Sequence, residues 1–85
     1  MIVNASAHFE IISKTSPAAI ERVLRVVRHR GFALKTLQVE HRAKTLLLDA
    51  QISGERSFEQ LQAQLEKLFD VIECRVNVEC QRKLG

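Results

Sequence analysis

The sequence predicts an α+β fold of element order β-α-β-β-α-β, a four-stranded antiparallel sheet with both helices on one face, and three observations carry that expectation. Several stretches alternate apolar and polar residues, the period of a half-buried strand; two others carry apolar residues three and four apart, the period of an amphipathic helix. Turn and cap residues fall between them, notably Ser16–Pro17, Gly31 and Gly54. At 85 residues the chain forms one domain, 1–85, with a core from about residue 3 to residue 80 and a short charged C-terminal tail.

The first strand is read from Val3 to Ile11, where Val3, Ala5, Ala7, Phe9 and Ile11 alternate with Asn4, Ser6, His8 and Glu10. Ser16 and Pro17 then open a helix: a serine hydroxyl can cap free N–H groups, and proline loses nothing at the first helical position. Ile20, Val23, Leu24 and Val27 form its apolar stripe, widened by Ala19 and Val26. Gly31 stands where the helix must end in a left-handed turn. The next segment, "ALKTLQVEH", mixes Lys35, Leu37 and Val39 on one side with Leu34, Thr36, Gln38 and Glu40 on the other, which suits an edge strand. After the polar turn "HRAK", Leu46, Leu48, Ala50 and Ile52 share one face of a third strand, and only Leu47 interrupts the polar face. Ser57 and Gln60 have capping-box spacing ahead of Phe58, Leu61, Leu65, Leu68 and Phe69 on a second helix. Ile72, Cys74, Val76, Val78 and Cys80 alternate with charged and polar residues on a fourth strand. This order is that of the ferredoxin-like plait, with the other sheet face left polar.

Composition narrows the function classes. A chain this short does not enclose a deep catalytic cavity together with a cofactor fold, so a stand-alone enzyme is not expected, and no catalytic group stands out. The 46% hydrophobic and 27% charged residues are those of a folded domain. Tyr and Trp are absent, and the four Phe read as packing sites, which leaves no aromatic for stacking on a base. The net charge of +3 is spread among interleaved acids and bases, so neither nucleic acid nor membrane is demanded. With no long apolar run and no secretory leader pattern at the start, a cytoplasmic location is expected. Cys74 and Cys80 read as core thiols on one strand, too far apart for a disulfide. His8, His29 and His41 fall on different elements, without metal-ligand spacing.

The stretches "SPAAIERVLRVVRHRGFALKTLQV" and "LQAQLEKLFDVIECRV" resemble the ACT domain family, and most closely the small regulatory subunits of acetolactate (acetohydroxyacid) synthase of the isozyme II type. The resemblance implies a non-catalytic subunit that activates a large enzyme of branched-chain amino acid biosynthesis. That large-subunit partner is expected to carry thiamine diphosphate, Mg and FAD, with no cofactor in this chain. ACT domains hold a regulatory amino acid between the first strand and first helix, near a dimer interface, and valine-responsive members use a loop Asn and Gly with a second Asn after the helix.

The corresponding effector-loop positions here are Thr15, Ser16, Ala18, Gly31 and Ala33, with Ala18 in place of the Gly and Ala33 in place of the second Asn. A methyl group can neither donate nor accept, and an unpaired buried ligand group costs about 1–3 kcal/mol, so the resemblance implies a domain that responds weakly or not at all to valine.

The basic run Arg22, Arg25, Arg28 admits two readings: a solvated helix face supported by the Glu21–Arg25 spacing, or a docking surface for an acidic patch on the large subunit. A homodimer through edge strands is expected, by pairing of the second strand with its copy. The alternatives are a stand-alone amino-acid-sensing ACT module and an RNA-binding plait; the first needs a ligand site that Ala18 and Ala33 argue against, and the second needs outward aromatics that the open face lacks.

Overall fold

The computed structural model describes residues 5–79, the last by its backbone alone. Six elements follow one another: β1 (Ala5–Lys14), α1 (Pro17–His29), β2 (Ala33–His41), β3 (Thr45–Gly54), α2 (Phe58–Glu66) and β4 (Val71–Glu79). All strand pairs are antiparallel and the sheet order is β2-β3-β1-β4, so β2 and β4 are the edges. This is the plait that the periodicity predicts. Val3, Asn4, Cys80 and the charged tail lie outside the described residues.

Alternation builds the core. Ala7, Phe9 and Ile11 of β1, Leu48, Ala50 and Ile52 of β3 and Cys74 of β4 all face one side, where Val23 and Val27 of α1 and Phe58, Leu61 and Leu65 of α2 cover them. Both helices therefore lie on a single face. Phe58 sits between two other rings, edge-on to Phe9 at 6.2 Å and tilted to Phe32 at 5.4 Å between centroids. Each such ring, once buried, contributes about 1.5–3 kcal/mol of hydrophobic stabilisation. Among the described residues no element covers the other face of the sheet.

Several expectations are corrected. Strand β1 runs on to Lys14, because Ser13 continues the inward alternation fully buried and the Lys14 N–H donates to the Asp70 carbonyl at 2.8 Å. Ser16 does occupy the N-cap of α1, but its side chain makes no capping hydrogen bond; the proline that follows removes one of the donors that would need it. The buried stripe of α1 is Ala19, Val23 and Val27, with Ile20 and Val26 packed at its margin and Leu24 half-buried. Lys35 is exposed where β2 is bulged, since Leu34 pairs Ile52 and Thr36 already pairs Gln51.

The largest departures come at the end of α2. The helix stops at Glu66, and the chain tightens into turns in which Lys67 N–H reaches Gln64 O, Leu68 N–H reaches Leu65 O and Val71 N–H reaches Leu68 O, each three residues back. Three-residue turns rotate the chain faster than an α-helix, so Phe69 leaves the apolar stripe and stands 79% exposed. The register of β4 then slips: Val71 pairs Ser13 while Glu73 pairs Ile12, which makes Ile72 the extra residue of a bulge. Val71 packs on the core in the place expected for Ile72, and Ile72 is 56% exposed. Ser57 behaves as its spacing predicts, its hydroxyl accepting from the Gln60 N–H.

Candidate functional site

The residues that the sequence nominates for effector binding lie at the two ends of α1. Thr15, Ser16 and Ala18 form its entry, exposed or half-buried; Gly31 and Ala33, both exposed, follow its exit. The helix between them is 13 residues long, about 20 Å at 1.5 Å per residue. Within one chain the two groups are therefore not brought together.

The exit is set by backbone geometry. Gly31 has φ +84°, and its N–H donates to Arg28 O while Phe32 N–H donates to Val27 O, the paired bonds of a Schellman motif. This turn swings Phe32 into the core, where its ring crosses Gly54 so closely that a Cβ there would lie 2.5 Å from Cδ1. Gly31 and Gly54 thus serve one purpose, the seating of Phe32. Ala33 follows on the exposed edge strand, its methyl offering no hydrogen bond.

The entry is set by a carboxylate that sequence reasoning did not single out. Asp70 is buried, its side chain 8% exposed, and it pairs with the Arg22 guanidinium. Its carbonyl also accepts from Lys14 N–H, so one residue ties the end of β1, the second turn of α1 and the turn before β4. The signal available in the sequence is an acid flanked by Phe69 and Val71, a charge inside an apolar run. Lys14 in turn places its ammonium 3.9 Å from the centroid of the Phe69 ring.

Of the three basic docking candidates, Arg22 is thus engaged within the fold, while Arg25 and Arg28 are exposed and, with His29, line a shallow recess on the outer side of α1. Neither Arg25 nor Arg28 has a carboxylate at ion-pair distance among the described residues.

The open face carries polar pairs and no enclosed chemistry. His8 hydrogen-bonds Asp49 across β1 and β3, and Arg75 donates to Glu73 at 2.6 Å on β4. His8, Glu10, Arg75 and Asn77 border a shallow depression there. Among the described residues no cluster of three or more His, Cys, Asp or Glu could hold a metal ion. Phe9, Phe32 and Phe58 are buried in the core and Phe69 is on a turn, so no described aromatic stands on the open face to stack a base. Cys74 is buried, as expected of a core thiol; burial, aided by nearby Glu66, pushes it from 9.0 up to about 12, so it holds its proton at neutral pH. No helix of the described residues is long and apolar enough to cross a membrane.

A βαββαβ plait with both helices on one face of an antiparallel sheet, its first helix closed by a glycine turn, is a ferredoxin-like domain in class. The chain belongs to the ACT domain family, whose profile matches residues 15–74, from the entry of α1 into β4. It is 39% identical over 71 residues, covering 81% of this chain and 75% of theirs, to the acetolactate synthase isozyme 2 small subunits of Escherichia coli K12 and Shigella flexneri. Solved structures agree on the fold. The ACT domain from GTP pyrophosphokinase of Chlorobium tepidum superposes with a TM-score of 0.74 at 12% identity, over 86% of this chain and 97% of that one. An ACT domain protein from Streptococcus pneumoniae gives 0.68 at 11% identity, over 88% of each.

Proposed function

We propose that the chain is the small regulatory subunit of an acetolactate synthase, acting in the cytoplasm on a catalytic large subunit. The observation that carries this reading is the 39% identity to isozyme 2 small subunits over most of both chains. The ACT family match supports it, and in this reading the effect on the partner is conformational. Such a subunit activates by binding the active form of its partner more tightly than the inactive form. In this reading thiamine diphosphate, Mg and FAD belong to the large subunit.

The reading extends to a homodimer through β2. That strand is an edge with most of its residues exposed, and α1 packs beside it. Antiparallel pairing of β2 with its copy lays the two α1 helices side by side in opposite directions, which sets Thr15, Ser16 and Ala18 of one protomer facing Gly31 and Ala33 of its partner. The effector site of such a dimer is composite, and in this chain Ala18 and Ala33 supply methyl groups on both sides of it. The activating function is accordingly kept while the valine response is weak or lost. Arg25 and Arg28, free on the outer side of α1, supply rim charge that steers the large subunit.

Acetolactate synthesis by the cognate large subunit, measured with and without this chain and repeated in excess valine, tests the reading. Activation that valine leaves intact is the expected result. Failure of the two chains to co-purify, together with no activation, overturns it.

A further inference from the structure

We propose that the knuckle formed by Phe69 and Ile72, braced by Lys14 and Asp70, is where this chain seats in the catalytic large subunit, and that the large subunit meets it with an apolar pocket rimmed by a carboxylate. The proposal rests on the small-subunit reading and adds to it the surface and the chemistry of its counterpart.

The two most exposed large hydrophobics of the described residues meet at this turn and bulge. The exposed large hydrophobics of the described residues are Leu34, Phe69, Ile72 and Val78, and three of these four lie on β4 or the turn that leads into it. Phe69 is the most exposed of them at 79%, and Ile72 follows at 56% because the bulge turns it off the core. A single exposed ring is ordinary; what marks this place is that Phe69 and Ile72, three residues apart, both leave the core at one turn and bulge.

The ring is also held in position. Lys14 caps it from one side, and the next residue, Asp70, is fixed by two contacts, its carbonyl to Lys14 N–H and its carboxylate to Arg22. An aromatic anchor already ordered before contact loses little conformational freedom on binding, which is the character of a hot-spot residue at an interface.

Charge chooses the occupant. Among the described residues Lys14 has no carboxylate at ion-pair distance, and the adjacent Asp70 is already taken by Arg22. A second copy seated on this knuckle by a two-fold axis would bring Lys14 towards its own copy, a like-charge approach that disfavours it, and an offset contact between copies would build a ring or a filament. A different chain that offers an apolar pocket and an acid to Lys14 satisfies both groups at once. The large subunit is the partner that the small-subunit reading supplies.

The test is an activation titration of the large subunit with the unmodified chain and with Phe69→Ala, Ile72→Asp and Lys14→Glu, each checked for an unchanged melting transition and, by light scattering, for an unchanged mass. Phe69→Ala is expected to raise the concentration for half-maximal activation about ten-fold or more, Ile72→Asp by a comparable factor, and Lys14→Glu most strongly at low salt. Unchanged half-maximal concentrations for both Phe69→Ala and Ile72→Asp overturn the proposal. So does a fall in the mass of the free Phe69→Ala chain, which would assign the knuckle to contact between copies. Failure of the unmodified chain to activate is a separate result, because it overturns the small-subunit reading itself.

Discussion

At its second turn α1 is tied by charge, through Arg22 to the buried carboxylate of Asp70; at its exit it is tied by backbone geometry and apolar packing, through Gly31, Phe32 and Gly54. The two ties respond to different things. An ion pair with one half-exposed partner weakens with salt and can re-form after a small shift, whereas a ring seated over a glycine has one arrangement that fits. Thr15, Ser16 and Ala18 belong to the adjustable end, and Gly31 and Ala33 to the fixed end.

Breaking the fixed end should cost the most. Phe32→Ala empties a site shared with Phe58 and is expected to destabilise the fold by about 3–5 kcal/mol in a denaturant titration. Gly54→Ala drives a methyl group into the Phe32 ring and should cost about 1–3 kcal/mol. Because both changes act on one contact, the double variant should lose less than the sum of the two, since the smaller side chain at 32 makes room for the methyl. Additive losses would mean that Gly54 and Phe32 are not coupled.

The charged end should yield more gently. Arg22→Ala leaves Asp70 buried without its cation and is expected to cost about 1–2 kcal/mol, with less difference from the unmodified chain at high salt. A salt-independent loss would show that Arg22 acts by packing its stem instead. The smallest effect concerns Cys74, which lies under α2 and is bonded through its carbonyl to Gln62 at 2.7 Å, away from both ends. Its thiol should alkylate slowly at neutral pH in the native chain, and Phe32→Ala should raise that rate more than Arg22→Ala does, in line with the larger stability it removes. Equal acceleration by both variants would erase the distinction between the ends.

Most of the fixed end was legible in the sequence and most of the charged end was not. Gly31 after a basic last turn, the alternation of Leu46 to Ile52 and the Ser57–Gln60 spacing are local signals, and local physics decides them. The close of α2 is decided otherwise. "LEKLF" continues the helical period without a glycine or proline to stop it, so nothing local reports that the chain tightens after Glu66 and turns Phe69 outward. The bulge at Ile72 follows from pairing β4 with a β1 longer than its alternation advertises, a long-range constraint. Asp70 is invisible for the same reason, because its partner Arg22 is 48 residues away and reads on its own as part of a solvated basic face. That Thr15, Ser16 and Ala18 are separated from Gly31 and Ala33 by the length of α1 appears only in three dimensions.

In the proposed reading the chain keeps the ACT fold while Ala18 and Ala33 take away groups that would hold valine. Calorimetric titration of valine into the complex of this chain with its large subunit tests that most directly, run beside the large subunit alone. The account predicts no saturable heat in either cell. A saturable isotherm that appears only with this chain present, and that Thr15→Ala or Ala33→Leu abolishes, would contradict it.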